Sequence, residues 1–314
     1  MPERPELVLF VDSVTLVGPT ASGKTTAALK IAKMNESVDI VSVDSMTVYR
    51  EMNVGTAKPT ALETAGVNYN LLDVASVTEE FSLWDFLNLC KELESSLRER
   101  ERRILLVGGT ALYLKAVLDD FAPPKRSVGM RSWLEQRLID DTDASRLHRL
   151  LTQVDPACAQ KIEVNNVRRI IRALEVALAT GSRFSSYGLG MDQISHTDRQ
   201  IVGIKPPRDV LRRRISERVL DQMNHGWLEE AEGLYRNREL MSKTALQALG
   251  YRELFEHIAG AISLEEATER IIHRTWRFAK RQLAWFDRDP RIKWSESGDE
   301  AVELITEILI GGAD

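Results

Sequence analysis

Gly18-Pro19-Thr20-Ala21-Ser22-Gly23-Lys24-Thr25 fits the pattern GxxxxGK[ST]. The glycines let backbone N–H groups curl around an anion, and a following helix adds partial positive charge at its N-terminus. Lys24 can reach the distal phosphate, and the Thr25 hydroxyl can ligate Mg2+. The pattern defines a phosphate or diphosphate site without saying whose phosphate it is. An enzyme using such a loop on a nucleotide ordinarily carries a second strand that ends in an acidic, metal-holding residue. Here Ile104-Leu105-Leu106-Val107 runs instead into Gly108-Gly109-Thr110, a hydroxyl on flexible backbone. The carboxylate comes from Asp44, which ends Val38-Asp39-Ile40-Val41-Ser42-Val43. An aspartate there can ligate a metal, act as a general base or cap a helix, and these three roles stay open. Thr110 is open in the same way, because Gly-Gly-Thr also makes a good strand-to-helix cap.

These groups need a frame. Val14-Thr15-Leu16-Val17 reads as a buried strand running into the glycine loop, with a helix from about Thr25 to Met34. The run 38–43 is a second strand, a helix is expected from about Leu83 to Arg103, 104–107 is a third strand, and another helix begins near Ala111. Strand–helix alternation with turns at the strand ends predicts an α/β fold, a P-loop NTPase-like core of parallel β-sheet flanked by helices. In such sheets ligands sit at the carboxyl ends of the strands. The pattern changes near Pro123-Pro124: residues 131–180 read as helical, 181–198 as a Gly- and Ser-rich loop. Gln200-Ile201-Val202-Gly203-Ile204 restores a strand, and helix follows from Asp209 to about Phe286. The expected organisation is a core of 1–125 and 200–314 with an inserted all-helical subdomain at 126–199. A length of 314 residues fits two domains of about 150 residues each.

Hydrophobic content of 43% and charged content of 28% exclude a disordered chain, a collagen-like one and a small disulfide scaffold. Cys90 and Cys158 stand apart without metal-ligand spacing and are expected to be inert, reduced thiols. Leu7 to Val11 is interrupted by Asp12 and is neither a signal peptide nor a spanning helix, so a cytoplasmic protein without membrane attachment is expected. With 42 Lys+Arg against 47 Asp+Glu, the net charge of −5 argues on its face against a nucleic-acid partner. Position changes that inference. Arg270, Arg274, Arg277 and Arg281 fall on one helix face, extended by Lys280, Arg288, Arg291 and Lys293 and interleaved with Trp276, Trp285 and Phe286, which could stack on unpaired bases. Arg168, Arg169 and Arg172 form a second cluster, while acidic residues gather at Glu229 to Glu232 and Glu296 to Glu307. The expectation is a local basic seat on an acidic body.

Taken together, these residues resemble the tRNA dimethylallyltransferases. The resemblance rests on Gly18 to Thr25, Asp44-Ser45 leading into Val48-Tyr49-Arg50, Val54-Gly55-Thr56-Ala57-Lys58-Pro59 and Val107-Gly108-Gly109-Thr110 with Leu112-Tyr113. It continues through Arg168-Arg169-Ile170-Ile171-Arg172-Ala173-Leu174-Glu175-Val176, Gly250-Tyr251-Arg252-Glu253-Leu254 and Ala279-Lys280-Arg281-Gln282, in the family's order over about residues 14–294. It implies transfer of a dimethylallyl group from dimethylallyl diphosphate to N6 of the adenosine adjoining the anticodon on its 3′ side in certain tRNAs. The cradle of Gly18, Pro19, Thr20, Ala21, Ser22, Gly23, Lys24 and Thr25 would then hold the diphosphate leaving group with Mg2+ on Thr25. Arg218, in preference to Arg214, resembles a second diphosphate clamp. Catalysis would fall to Asp44, Thr110 and Lys24, with Asp44 accepting a hydrogen bond or proton from the N6 amine. Contacts to the anticodon stem-loop are implied for Asp44, Ser45, Met46, Thr47, Thr110, Arg131, Val167, Arg168, Arg169, Ile170, Ile171, Arg277, Lys280 and Arg281. A monomer is expected.

Some positions depart from the family pattern. Thr47 replaces Gln, Glu51 replaces Gly, Asn68-Tyr69-Asn70 replaces a His pair, Ala111 replaces Gly, Trp276 replaces Arg and Asp287 replaces Arg. All spare Lys24, Thr25, Asp44 and Thr110, so the chemistry is expected to survive. Asp287 near a phosphate would be repulsive and weaken tRNA binding. The alternative is a small-molecule or nucleotide kinase using the same loop on ATP, with the helical insertion as a lid. Against it stand the Gly-Gly-Thr strand end and the basic, aromatic C-terminal helix.

Overall fold

A computed structural model describes residues 9–119, 121, 124, 126–140, 144–187, 194 and 198–311. Its strands are β1 (Val14–Val17), β2 (Val38–Val43), β3 (Tyr69–Asn70), β4 (Arg103–Gly108), β5 (Gln200–Ile204) and β6 (Ile292–Ser295). They make one sheet in the order β3-β2-β4-β1-β5-β6, with every neighbouring pair parallel. The central strands are short apolar runs with no polar side of their own, as a sheet covered on both faces requires. Val17 lies level with Gly108 of β4 and Gly203 of β5, so β1 delivers the glycine loop at the middle of the sheet's carboxyl edge.

The helices of this core are α1 (Lys24–Met34), α2 (Leu83–Glu99) and α3 (Ala111–Leu118) before residue 119. Helices α4 (Val128–Asp140), α5 (Ala144–Val154), α6 (Pro156–Ala159) and α7 (Val167–Thr180) follow, and the core resumes after β5. It continues with α8 (Arg208–Asn224), α9 (Trp227–Tyr235), α10 (Tyr251–Ile258), α11 (Leu264–Phe286) and α12 (Gly298–Gly311). Leu16, Ile40, Leu105 and Val202 pack with Ala28 and Ile31 of α1 and Ala301 and Ile305 of α12 in one buried cluster. Ser82 and Asp85 cap α2 reciprocally, which gives that helix a fixed start beside the sheet.

The chain divides into two compact units, one of Val8–Leu118 with His196–Asp314 and one of Asp119–Ser195. The second has its own core, in which Leu134, Leu147, Leu151, Ile170 and Leu174 are buried together. Pro123, Lys125 and most of 188–197, where the sequence marks a change of pattern and a Gly- and Ser-rich loop, lie outside the described residues. Both cysteines are free and buried. Burial pushes both thiols up, Cys158 to about 11, so neither is a ready nucleophile at neutral pH.

Three local readings are corrected. The helix expected to run to Arg103 ends at Glu99, because Glu101 turns with a positive φ of 52° and hands Arg103 to β4. The helical stretch from 209 to 286 is four α-helices with two short 3-10 turns between the second and third; Gly226, at φ 91°, makes the first break. The edge strands β3 and β6 were not anticipated, since two to four residues carry too little periodicity.

Candidate active site

The cradle is shaped by backbone with a positive φ at three positions, Gly18 (154°), Ala21 (62°) and Gly23 (97°), the last of which occupies the N-cap of α1. A side chain at Gly23 would be strained there, and Lys24 and Thr25 open the helix directly above the loop. Lys24 Nζ folds back and donates to Pro19 O at 2.6 Å. Its ammonium is pushed down to about 7, first by burial and then by the Arg218 guanidinium, with Asp44 opposing. Arg218 reaches the same space from α8, donating to Thr56 O at 3.4 Å, and burial lowers its guanidinium below the usual range. Arg214, one turn earlier, donates to Ser22 O at 3.4 Å and so supports the loop from outside.

Asp44 divides its two oxygens. Oδ1 accepts from Met46 N at 2.8 Å and Thr47 N at 3.4 Å, which fixes the turn after β2. Oδ2 accepts from the Thr110 hydroxyl at 3.4 Å, and Thr110 Oγ1 itself accepts from Ser45 N at 3.2 Å. Asp44 therefore closes a turn and not a helix, since no helix follows β2 before Leu83, and its second oxygen faces Thr110. A cavity of about 370 Å³ is lined by Thr20, Lys24, Thr25, Asp44, Ser45, Met46, Thr47, Thr110, Arg218 and Arg281, with Tyr69, Leu72 and Phe278 adding apolar wall. It thus gathers the phosphate cradle, the carboxylate–hydroxyl pair and the second cation in one chamber. Thr25 and Asp44 share that wall, and one hydroxyl and one carboxylate beside phosphate oxygens and water suit Mg2+. Among the described residues no three His, Cys, Asp or Glu side chains converge to hold a metal alone.

Residues that spacing does not mark complete the chamber. Glu230 accepts from three successive backbone N–H groups, Asn53 at 2.7 Å, Val54 at 2.9 Å and Gly55 at 3.0 Å, and from the Tyr251 hydroxyl at 2.6 Å. Gln222 Nε2 donates to Val54 O at 2.6 Å and Gly55 O at 3.1 Å. The loop whose Gly55, Thr56, Ala57 and Pro59 line the chamber is thereby fastened to α8, α9 and α10. Gln282 on α11 contacts both the cradle and the Gly-Gly-Thr turn. In sequence, Glu230 is indistinguishable from the rest of the Glu229 to Glu232 run.

The basic stripe on α11 is only partly a free face. Arg270 pairs with Glu266 at 2.5 Å and Glu256 at 3.1 Å, and Arg274 pairs with Glu253, so two of its four arginines serve the packing of α10 on α11. Arg277, Lys280 and Arg281 remain exposed. Phe286 is fully buried and does not stack on a base. Trp276 packs against Leu211 and Ile215, with the Arg208 and Lys280 cations 5.6 Å and 5.8 Å from its ring centre. Asp287 is neutralised by Lys205 at 2.6 Å, which offsets the repulsion expected of it.

In the helical unit, Arg168 and Arg169 are exposed and Val167 is half-buried. Ile170 and Ile171, expected against tRNA, are buried in that unit's core, where the apolar face of α7 requires them. Arg131 is held within its own unit, 2.8 Å from Glu135 and 3.6 Å from Glu175.

A parallel α/β sheet that sets a glycine-and-lysine loop against a carboxylate and a hydroxyl on neighbouring strand ends belongs to the P-loop-like α/β class. Within that class the IPP transferase family model matches residues 47–289. A tRNA dimethylallyltransferase of Carboxydothermus hydrogenoformans is 41% identical over 300 residues, covering 95% of this chain and 96% of that protein. A second, from Geobacillus kaustophilus, is 40% identical over 286 residues and 90% of each chain. The solved structure of a full-length tRNA isopentenylpyrophosphate transferase from Bacillus halodurans is similar with a TM-score of 0.68 at 34% identity, covering 96% of both chains. The chain belongs to the IPP transferase family. These relatives support the transferase reading and not the kinase one.

Proposed function

We propose that the protein transfers the dimethylallyl group of dimethylallyl diphosphate to N6 of the adenosine 3′-adjacent to the anticodon in certain tRNAs. The observation that carries this reading is the division of one chamber between two cations, Lys24 and Arg218, and a carboxylate oxygen, Asp44 Oδ2, held by Thr110. Lys24, Arg218 and the loop N–H groups bind the diphosphate and take up the charge that develops as the allylic carbon–oxygen bond breaks. The electron pair of that bond leaves with the bridging oxygen. The N6 lone pair forms the new carbon–nitrogen bond, and the N6 proton passes to Asp44 Oδ2. Thr110 keeps that oxygen in place and stands beside the incoming base. Thr25 would hold Mg2+ together with diphosphate oxygens and water, and the ion, when bound, would neutralise part of the leaving group's charge.

The target base has to leave its stack to enter the chamber. Arg277, Lys280 and Arg281 on α11, and separately Arg168 and Arg169 on α7, are the exposed cations that suit the phosphates of an anticodon stem-loop. A monomer is proposed. No helix among the described residues is long and apolar enough to cross a membrane, and the cytoplasm, where tRNA is, is the proposed location.

Incubation with total bacterial tRNA and labelled dimethylallyl diphosphate, followed by nucleoside analysis, tests donor and acceptor together. Label in N6-isopentenyladenosine is the expected result. Calorimetric binding of a non-hydrolysable ATP analogue, with none of dimethylallyl diphosphate or pyrophosphate, would overturn the proposal.

A further inference from the structure

Gln282 is an uncharged side chain, 6% exposed, on the helix that also carries the exposed Arg277, Lys280 and Arg281. Its amide closes two hydrogen bonds to loops far away in sequence. Oε1 accepts from Thr20 N at 2.9 Å, and Nε2 donates to Gly109 O at 2.8 Å. Turning the amide over would set donor against donor and acceptor against acceptor, so the pair of bonds admits one orientation. Thr20 belongs to the cradle. Gly109 immediately precedes Thr110, whose hydroxyl touches Asp44. A methyl group placed on Gly109 would lie 2.6 Å from Gln282 Nε2 and 3.2 Å from Gly18 O, so the three segments meet with no space to spare.

We infer that Gln282 is a positioning residue for transfer: from the wall of the chamber, its two bonds set the distance between the diphosphate cradle and the Asp44–Thr110 pair. This rests on the function proposed above. Transfer requires the allylic carbon to lie between a leaving oxygen held by the cradle and an amine held by Asp44, and a displacement of about 1 Å in such an arrangement costs on the order of 100-fold in rate. Removing the tie therefore acts on the chemical step more than on binding.

The test is the single-turnover rate of Gln282→Met, which keeps the side-chain length and loses both bonds, at saturating tRNA and dimethylallyl diphosphate. The rate is expected to fall about 30- to 100-fold, with the Kd for pyrophosphate and for tRNA within about threefold of wild type. In a Thr110→Ala background the same substitution is expected to cost less than about threefold, because the link from Gln282 to Asp44 runs through Thr110. Gly109→Ala pushes on the same amide from the other side, should give a loss of similar size, and carries the test if Gln282→Met does not fold. A variant rate within threefold of an active wild type would overturn the inference. So would parallel losses of rate, pyrophosphate binding and melting temperature, or a full additive cost in the Thr110→Ala background. If the wild type itself transfers nothing, the proposed function falls first, and the tie with it.

Discussion

Two groups of cations are withdrawn from water in this protein, and the two units treat them differently. In the helical unit Arg172 donates to Glu175 at 2.7 Å, Arg131 lies 3.6 Å from the same carboxylate, and Ser127 N donates to it at 2.8 Å. Glu175 is fully buried, so its charge is consumed within its own unit. In the core, Lys24 and Arg218 have carbonyl partners, Pro19 O and Thr56 O, but no ion pair among the described residues. Asp44 acts on them only from a distance. A paired buried cation holds a fold together. In the chamber the Arg218 guanidinium, short of counter-charge, adds to burial in lowering the proton affinity of Lys24, and two such cations favour an anionic guest.

The contrast can be broken by substitution, and the largest effects belong to the core. Lys24→Ala and Asp44→Ala should each lower transfer by about 10³-fold. Pyrophosphate binding should be lost in the first and largely kept in the second; an Asp44→Ala enzyme within about tenfold of wild type would remove its role as base. Glu175→Gln should act the other way, costing about 3 kcal/mol of stability by leaving the Arg172 guanidinium without its carboxylate, while Arg131 keeps Glu135. Chemical denaturation should report that loss while pyrophosphate affinity stays unchanged.

A smaller effect follows from Lys24. With its ammonium at about 7 in the free protein, and raised when an anion binds, the contribution of Lys24 to pyrophosphate affinity should be full well below pH 7. It should then weaken by up to about tenfold per pH unit above pH 7. Calorimetry against Lys24→Arg, whose guanidinium does not titrate in this range, isolates that component. The smallest effect is expected at Asp287. Its exposed pair with Lys205 suggests that Asp287→Ala shifts stability by less than about 1 kcal/mol and tRNA affinity by less than about threefold in a filter-binding assay.

The parts of the site that sequence made legible are local. Gly18 to Thr25 is read within eight residues, and Asp44 and Thr110 each end an apolar run, so their place at the sheet's carboxyl edge follows from chain order. The contacts that sequence does not mark are long-range, even where the residue, as with Gln282, belongs to a motif. Glu230 grips backbone 175 to 177 positions away, and Gln282 reaches 173 and 262 positions. No spacing rule marks such a contact. The stripe on α11 failed for a related reason: Arg274 lies on the expected face, but that face also receives Glu253 from α10, and only the packing of two helices shows that the charges cancel. Ile170 and Ile171 illustrate the converse, since a segment can be named for a partner while its apolar members serve the core. The β3 segment, where Asn68-Tyr69-Asn70 departs from the family pattern, is explained by pairing: Asn68 donates to Asp39 and Asn70 to Ile40 O.

The strand order has a consequence for how the molecule is made. β1 lies between β4 and β5, yet β5 is about 180 residues further along the chain, beyond the whole helical unit. During synthesis from the N-terminus, the glycine loop can pair one side of its strand as soon as β4 emerges, while the other side stays open until the insertion has been completed. α12, which covers the same face as α1, arrives last. A ribosome-bound fragment ending before residue 200 would therefore carry every residue of the cradle and still have an unpaired strand edge beside it, open to pairing with another chain.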